Sequence, residues 1–228
     1  MTDDDDQADN GTVVSIATDQ AVRRCAALTR IEAYWSELRA GRLVPSRSEI
    51  DPRGMEGVLA HAFILERLAT GLARLRIAGS HMTEILGLEA RGLPLSAVFE
   101  GDSRETLADA LEACFNEPAL IRLSLLSDRG FGRPELIGGM VLLPMRSDLG
   151  DITRVLGGIS LNGSVGRTPR RLRITGQSRT SLVGYAGPRG QTTGLSGRFA
   201  VPGRPAPVTK DSDRPRSDHL RLVVVNEA

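Results

Sequence analysis

Three β-prone segments follow one another in the second half of the chain, over residues 119–127, 135–146 and 154–161. Only short turn sequences, DRGFGRP and SDLGD, separate them. Connections this short join antiparallel neighbours, because a parallel connection needs a crossover of a dozen or more residues. The order of segments therefore predicts an antiparallel meander of three strands.

Two further apolar runs lie in the first half of the chain, at residues 62–68 and 72–78. The intervening residues 69–71 form a loop of the length that joins the strands of a β-hairpin. In the second run Arg74 and Arg76 alternate with apolar residues. This alternation predicts one solvated and one buried face.

An amphipathic helix is predicted before this hairpin. Thr29 and Glu32 have the spacing of a capping box, and Gly41 ends the helical pattern. The apolar residues on one face of the helix are Ile31, Tyr34, Trp35 and Leu38. We expect Tyr34, Trp35 and Leu38 to pack on the sheet or on a second copy of the chain.

Two more helices have clear start signals. Asp51 followed by Pro52 favours the start of a short helix. Asp102 and Glu105 form a capping pair ahead of a longer helix that Pro118 follows. Between these helices, the stretch LRIAGSHMTEILGLEARG runs from a strand through a glycine turn into one or two helical turns. This stretch is either a ligand-gripping element or a compact connection.

This order of elements is that of a PAS domain, and several segments resemble a bacterial family of small stand-alone PAS proteins without an attached catalytic domain. The matching segments are YWSELRAGRLVPSRSEIDP (34–52), LRIAGS (75–80), LGLEARG (86–92), LLPM (142–145) and VLGGISL (155–161). The first carries the pattern YWxxLRxGRxxPxRxxIDP, and the resemblance extends over residues 28–161. It implies an α+β fold with a five-stranded antiparallel sheet, helices on one face, and signalling through binding of small molecules or proteins.

Composition divides the chain into three parts. We predict a largely disordered acidic N-terminus at residues 1–27, a PAS domain with its N-terminal helix at 28–162, and a basic tail at 163–228. From Ser164 to Ala228, twelve basic residues stand against four acidic ones, a net charge of +8, whereas the preceding residues carry 17 basic and 24 acidic groups, or −7. Large apolar residues are too sparse in the tail to offset the entropy of ordering it, so we predict disorder there.

Two segments of the tail have candidate roles. Residues 220–225 are apolar and β-prone, and they either dock as an added strand, on the protein's own sheet or on a partner, or remain an exposed apolar end. RTPRRLR, residues 167–173, is the strongest basic patch, either as part of a solvated tail or as a contact to nucleic-acid phosphates or an anionic membrane. We favour the first reading of this patch because no aromatic residue is interleaved with its arginines. A nucleic-acid-associated regulator is kept as the alternative function.

Two glycine pairs, Gly138-Gly139 and Gly157-Gly158, interrupt successive predicted strands. With a hairpin centred on Asp148, Gly138 faces Gly158 and Gly139 faces Gly157. Glycine inside a strand is unfavourable and marks a bulge or a close approach to the backbone. We predict a shallow hollow on the sheet that a ligand, a helix of the same chain or a second subunit fills.

The candidate residues for ligand or partner binding add four side chains to these glycines. They are Arg76, His81, Met82, Phe115, Gly138, Gly139, Gly157 and Gly158. Arg47, Asp51 and Arg76 either form an ion pair that braces the N-terminal segment against the sheet or bind an anionic ligand. We favour the brace.

No cofactor is identified from the sequence. His81 is a candidate ligand of haem iron, but a lone histidine beside a glycine turn is more often a solvent-facing or capping residue. A flavin photosensor needs a reactive cysteine in the strand-to-helix crossover, and residues 75–92 contain none. Haem and flavin are therefore disfavoured.

Sequence signatures of catalysis are missing. The chain has no GxxxxGK[ST], HExxH, GxSxG or CxxC pattern, and its three histidines are dispersed. Cys25 and Cys114 are expected to be buried or unreactive thiols, which disfavours a disulfide framework or a metal cluster. We predict a protein that is not an enzyme and binds no metal.

The sequence favours a cytoplasmic regulatory protein. No apolar run approaches the roughly 20 residues needed to cross a bilayer, and the acidic start MTDDDDQADN is unlike a signal peptide. The favoured function is a bacterial sensor or adaptor that binds a small molecule or a protein partner at the face of its sheet. The partners considered are a signalling protein and a second copy of the chain.

Overall fold

The computed structural model of the chain describes the backbone of residues 16–183 and the side chains from Ala26 onward. Three α-helices occur in this range: α1 (Ile16–Arg39), α2 (Ser80–Leu86) and α3 (Gly101–Asn116). The strands are β1 (Ala62–Ala69), β2 (Leu72–Ala78), β3 (Ala119–Ser127), β4 (Ile137–Met145), β5 (Arg154–Asn162) and β6 (Leu172–Ser181). Short 3-10 helices connect α1 to β1 and precede α3.

All six strands belong to one antiparallel sheet with the order β2-β1-β5-β4-β3-β6. The β1–β2 hairpin and the β3–β4–β5 meander agree with the sequence prediction. Pairing of β1 with β5 joins the two halves of the chain, so the hairpin lies beside the last strand of the meander. This is the α+β arrangement that the resemblance to PAS domains implies.

The sheet has six strands and not the predicted five, because β6 forms within the segment predicted to be a disordered tail. Leu172 at its start is fully buried and pairs with Ser127 of β3. The side chain of Arg170 is buried too, and it donates to Ser127 Oγ at 2.6 Å and to the carbonyl of Pro134 at 2.7 Å. Hydrogen bonds to the β3 backbone and this one arginine replace the apolar residues that the tail lacks.

The remaining parts of the predicted tail fall into two groups. Arg167, Arg171 and Arg173 of the RTPRRLR patch are exposed, whereas Arg170 is committed to backbone carbonyls and is not available for a phosphate. The apolar segment at 220–225 lies outside the described residues, as does the acidic stretch at the start of the chain.

Helices cover both faces of the sheet. α2 and α3 pack on one face with Val155 and Ile159 of β5, whereas α1 packs on the opposite face with Leu156. Trp35 of α1 is fully buried there, and its Nε1 donates to the carbonyl of Pro144 at 3.0 Å. The central strands are therefore buried on both sides, and α1 is fixed to the end of β4.

α1 begins at Ile16, well before the predicted capping box at Thr29 and Glu32. The capping-box assignment is wrong because both residues lie inside the helix. Glu32 is buried and forms an ion pair with Arg122 of β3, whose Nε lies 3.1 Å from the carboxylate. The Glu32 carboxylate attaches α1 to the sheet and does not cap the N-terminus of the helix.

The predicted pairing of glycines with glycines is wrong. Met145 pairs with Arg154, so the β4–β5 hairpin is centred between Leu149 and Gly150 and not on Asp148. As a result Gly138 faces Leu161, Gly139 faces Ser160, Gly157 faces Leu142 and Gly158 faces Val141. The longer turn shifts the register by three positions and moves the glycines apart.

The chain itself occupies the space beside the β5 glycines. Phe63 pairs with Gly157 across the β1–β5 ladder, and a Cβ added to Gly157 would overlap the Phe63 ring. On the other face, a Cβ added to Gly158 would lie 2.9 Å from Ile31 Cδ1 of α1. The sequence left open whether a ligand, a helix of the same chain or a second subunit occupies this space. At these two glycines it is occupied by side chains of the same chain.

Gly157→Ala is expected to lower the free energy of unfolding by about 1–3 kcal/mol, because the new methyl group overlaps an aromatic ring in a close-packed core. Gly101→Ala is the matched control, since a Cβ at Gly101 meets nothing within 4 Å. Urea unfolding followed by far-UV circular dichroism measures both changes. Equal stability of the two variants would contradict the packing described for Phe63.

A chain that ends at Gly166 is expected to lose roughly 3 kcal/mol or more of stability relative to one that ends at Val183, because it lacks the buried groups of Arg170 and Leu172. Thermal unfolding of the two truncated proteins, beside the full chain, measures the difference. If the chain ending at Gly166 were as stable as the others, β6 would not be an integral strand.

Candidate functional site

His81 is held by protein groups on both sides of its ring. Its Nε2 lies 3.3 Å from the backbone nitrogen of Leu161 and accepts its hydrogen bond, while Nδ1 lies 3.3 Å from the Glu84 carboxylate. The His81 ring is buried and lies 4.9 Å, centre to centre, from that of His61. Coordination of haem iron through Nε2 would require loss of the Leu161 hydrogen bond, so these contacts do not favour a haem site.

Met82 and Phe115 are buried in the core between the sheet, α2 and α3. The guanidinium of Arg67 lies over the Phe115 ring, 5.2 Å from its centre. Cys114 beside it is buried, and desolvation raises the pKa of its thiol well above the ordinary value. The structure gives these side chains packing roles, and it places Arg76 elsewhere.

Arg76 lines a pocket of about 340 Å³ that lies where the connection after α1, the β1–β2 hairpin and the β4–β5 turn meet. Four guanidinium groups and one carboxylate line this pocket together with two isoleucines. The lining residues are Arg47, Ile64, Arg76, Ile77, Arg91, Asp148 and Arg154. We call this space the arginine pocket.

The stretch LRIAGSHMTEILGLEARG closes on itself and thereby supplies three of these residues. The backbone nitrogen of Gly92 donates to the carbonyl of Leu75 at 2.7 Å, and the nitrogen of Leu75 donates to Leu93 at 2.9 Å. These bonds bring Arg91 to the same edge of β2 as Arg76, although fourteen residues lie between them. Gly87, with φ of +72°, ends α2 and allows the chain to return.

Arg47 is brought to the pocket by the segment between α1 and β1, residues 40–61, which we call the linker. The backbone nitrogen of Arg47 donates to the carbonyl of Arg146 at 2.8 Å, and the backbone nitrogen of Arg146 donates to the carbonyl of Pro45 at 2.9 Å. Asp148 follows in the same β4–β5 turn. The linker is thus hydrogen-bonded to the end of β4, next to the carbonyl that accepts from Trp35.

Glu66 of β1 is the internal counter-ion beside the arginine pocket. Its carboxylate lies 2.8 Å from Arg74, 2.8 Å from Arg154 and 3.5 Å from Arg76. The hydrogen bond from Arg74 is the main cause that holds the pKa of Glu66 below its ordinary value, and the charges of Arg154 and Arg76 add to it. One carboxylate is therefore shared by three guanidinium groups.

The pocket retains an excess of positive charge. Within residues 26–183, no carboxylate oxygen lies within 4.0 Å of the guanidinium nitrogens of Arg47 or Arg91. Asp148, the carboxylate among the lining residues, is likewise beyond that distance from the lining arginines. The arrangement suits a ligand that brings its own negative charge, because planar guanidinium groups bind phosphate or carboxylate oxygens in pairs.

The predicted ion pair between Asp51 and the arginines is not formed. The Asp51 carboxylate instead accepts from the backbone nitrogen of Arg53 at 3.0 Å. The brace is made by Tyr34, whose hydroxyl donates to the Asp51 carbonyl at 2.9 Å and accepts from its nitrogen at 2.8 Å. Arg47 and Arg76 are left to line the arginine pocket, which supports the anion-binding alternative.

Arg91, Arg154 and Asp148 were not among the residues selected from the sequence. The pocket draws its residues from the linker, both strands of the hairpin, the return after α2 and the β4–β5 hairpin. Such a set has no common spacing along the chain. The available signal was that Arg91 precedes Gly92 at the end of the LGLEARG segment, and Gly92 is the residue that bonds to strand residue Leu75.

Comparison with known families agrees with the fold. A family model described as a PAS domain matches residues 23–160, which is more than half of the chain. The chain belongs to the PAS domain family. Domains of this family are in general sensory, regulatory or interaction modules without catalytic activity. None of the curated proteins compared with the chain is a significant match.

Membrane-spanning helices and metal-binding clusters are both absent from the part of the chain that the structure describes. No helix between residues 16 and 183 is both long enough and apolar enough to cross a membrane. Over the same range, no three side chains of histidine, cysteine, aspartate or glutamate are grouped so that they could hold a metal ion.

Glu66→Gln is expected to reduce the acid sensitivity of the protein. The native-state pKa of Glu66 is below the unfolded value of about 4.3, so the ionised carboxylate stabilises the fold above that pH. This contribution is lost as the pH falls through the lowered native-state pKa. The difference in unfolding free energy between wild type and variant should be about 1–3 kcal/mol at pH 7 and shrink towards zero in acid.

Urea unfolding between pH 7 and pH 2 measures this difference for Glu66→Gln and for a control, Glu56→Gln, whose exposed side chain lies outside the network. A constant difference between wild type and Glu66→Gln across this pH range would contradict the charge network described for Glu66.

Proposed function

We propose that the protein is a non-catalytic regulatory PAS protein that senses a small anionic ligand in the arginine pocket. Membership of the PAS family supports a sensory or regulatory role. The single observation that supports the anionic ligand is the convergence of four guanidinium groups on one pocket where Asp148 is the only lining carboxylate among residues 26–183. The pocket lies at the edge of the sheet, and the core between sheet and helices is filled by side chains.

The linker offers a route from the pocket to α1. A ligand that bridges Arg47 to Arg76 or Arg154 would fasten the linker to the sheet. The same linker is held by Tyr34 at Asp51, and Trp35 is held at Pro144. Occupancy of the pocket therefore favours one position of α1 relative to the sheet, and a ligand shifts such an equilibrium by its difference in affinity for the two states.

The output of this change is proposed to be binding of a signalling partner or of a second copy of the chain. Binding of nucleic acid through the tail is not favoured, because Arg170 of the basic patch is buried and bound to carbonyl groups.

Isothermal titration calorimetry with inorganic tripolyphosphate tests the proposal. We expect saturable binding that weakens as salt is added, because charge attraction is screened. Arg91→Ala should lower the affinity by about 10-fold to 100-fold, as expected for loss of hydrogen bonds between charged groups. Arg129→Ala is the matched control, since this exposed arginine lies in the β3–β4 loop at the opposite end of the sheet, and it should leave the affinity unchanged.

The result against the proposal would be no heat of binding at millimolar tripolyphosphate and low salt. Equal losses of affinity in Arg91→Ala and Arg129→Ala would also contradict it, because they would indicate diffuse attraction to the protein surface and not a pocket.

A further inference from the structure

We infer that the arginine pocket takes a nucleotide, that is, a ligand with a chain of two or three phosphates joined to a planar ring. This inference rests on the proposed function and adds the chemical class of the ligand. It depends on the apolar part of the pocket, on its size, and on the position of its uncompensated charges.

The apolar part is a cross-strand pair of isoleucines. Ile64 of β1 and Ile77 of β2 lie directly opposite each other in the hairpin, and both line the pocket beside the arginines. Ile77 is 50% exposed although it is β-branched and apolar, whereas Ile64 is buried, so Ile77 supplies most of the accessible apolar surface. An inorganic anion would leave this surface in water, whereas a ring placed on it would gain about 25 cal/mol for each Å² removed from water.

The charged part is arranged for more than one anionic group. Arg47 and Arg91 come from different segments of the chain and have no carboxylate within ion-pair distance in the described residues. Arg76 and Arg154 share Glu66 with Arg74, so the single negative charge of Glu66 compensates only part of their positive charge. A chain of phosphates offers more oxygens over a longer span than a single phosphate does, which suits guanidinium groups that come from both the linker and the β1–β2 hairpin.

The size of the pocket agrees with this class. A volume of about 340 Å³ lies within the range of pockets that bind cofactor-sized or drug-sized ligands. It is far larger than one phosphate or a small dicarboxylate requires. Among the lining side chains Asp148 is the carboxylate, and it is suited to accept hydrogen bonds from the hydroxyl or amino groups of such a ligand.

Guanidinium groups also favour a planar ring. Arginine stacks on the face of an aromatic ring while its nitrogen atoms bind phosphate oxygens, and lysine does not combine the two contacts. Arg91 and Arg76 line the pocket together with Ile77, because the closure of residues 75–92 brings Arg91 to the same edge of β2. A ring that packs on the two isoleucines therefore lies next to two of the arginines, Arg76 and Arg91.

Calorimetry with ATP, ADP, AMP, adenosine and tripolyphosphate, without divalent cations, tests the inference on the full chain. We expect affinity to fall in the order ATP, ADP, AMP, with adenosine not binding measurably. ATP should bind about tenfold more tightly than tripolyphosphate. GTP and UTP should show the same advantage if the ring is held by packing and stacking and not by hydrogen bonds to one base.

Ile77→Ala separates the apolar contribution from the charged one. It should lower the affinity for ATP to that for tripolyphosphate and leave the affinity for tripolyphosphate unchanged. Leu68→Ala is the matched control, because Leu68 is 49% exposed on the same hairpin but does not line the pocket. This control should change neither affinity.

The outcomes distinguish the two claims. Equal affinity for ATP and tripolyphosphate, or an equal effect of Ile77→Ala on both, would overturn the nucleotide class and leave anion sensing intact. No binding of any phosphate compound would overturn both claims. Binding of adenosine as tight as that of ATP would overturn the role given to the arginines.

Discussion

Uncompensated positive charge at one edge of the sheet is the constraint on which this account of the protein depends. Glu66 is shared by three guanidinium groups, and Arg47 and Arg91 have no ion-pair partner among residues 26–183. Guanidinium groups that converge from separate segments repel one another, so the folded state is held together at this point by backbone hydrogen bonds and core packing. A polyanion that enters the pocket relieves this repulsion. Its binding is therefore more favourable here than at an ordinary exposed arginine.

The packing of the sheet explains why the pocket lies at its edge. Phe63 fills the space beside Gly157 on one face, and Ile31 of α1 fills the space beside Gly158 on the other. With both faces of the central strands covered, the pocket lies towards the β2 edge, where the linker and the β4–β5 turn approach the hairpin. That position also connects the pocket to α1, because the linker begins where α1 ends and is hydrogen-bonded to the end of β4.

The fold could be predicted from the sequence further than the site could. Alternating strands, the short hairpin loop and the glycine that ends α2 are local signals, and each corresponds to an element of the structure. The hairpin loop has two residues and not the predicted three, because Ala69 pairs with Leu72. β6 was missed because an edge strand held by backbone hydrogen bonds and by Arg170 needs few apolar residues. The glycine register was wrong by three positions because it depended on the centre of one turn. Arg47 and Arg76 were considered together from the sequence, whereas Arg91 and Arg154 become their neighbours only through the closure of residues 75–92 and the β1–β5 pairing.

The most direct test of the central claim is a nuclear magnetic resonance titration that follows the side-chain Nε–Hε signals of the arginines as tripolyphosphate is added. The account predicts saturable shifts of the signals of Arg47, Arg76, Arg91 and Arg154 with one common dissociation constant, while Arg129 and Arg179 in other parts of the surface stay in place. Shifts spread evenly over all exposed arginines, or no shift at the four lining residues, would contradict it.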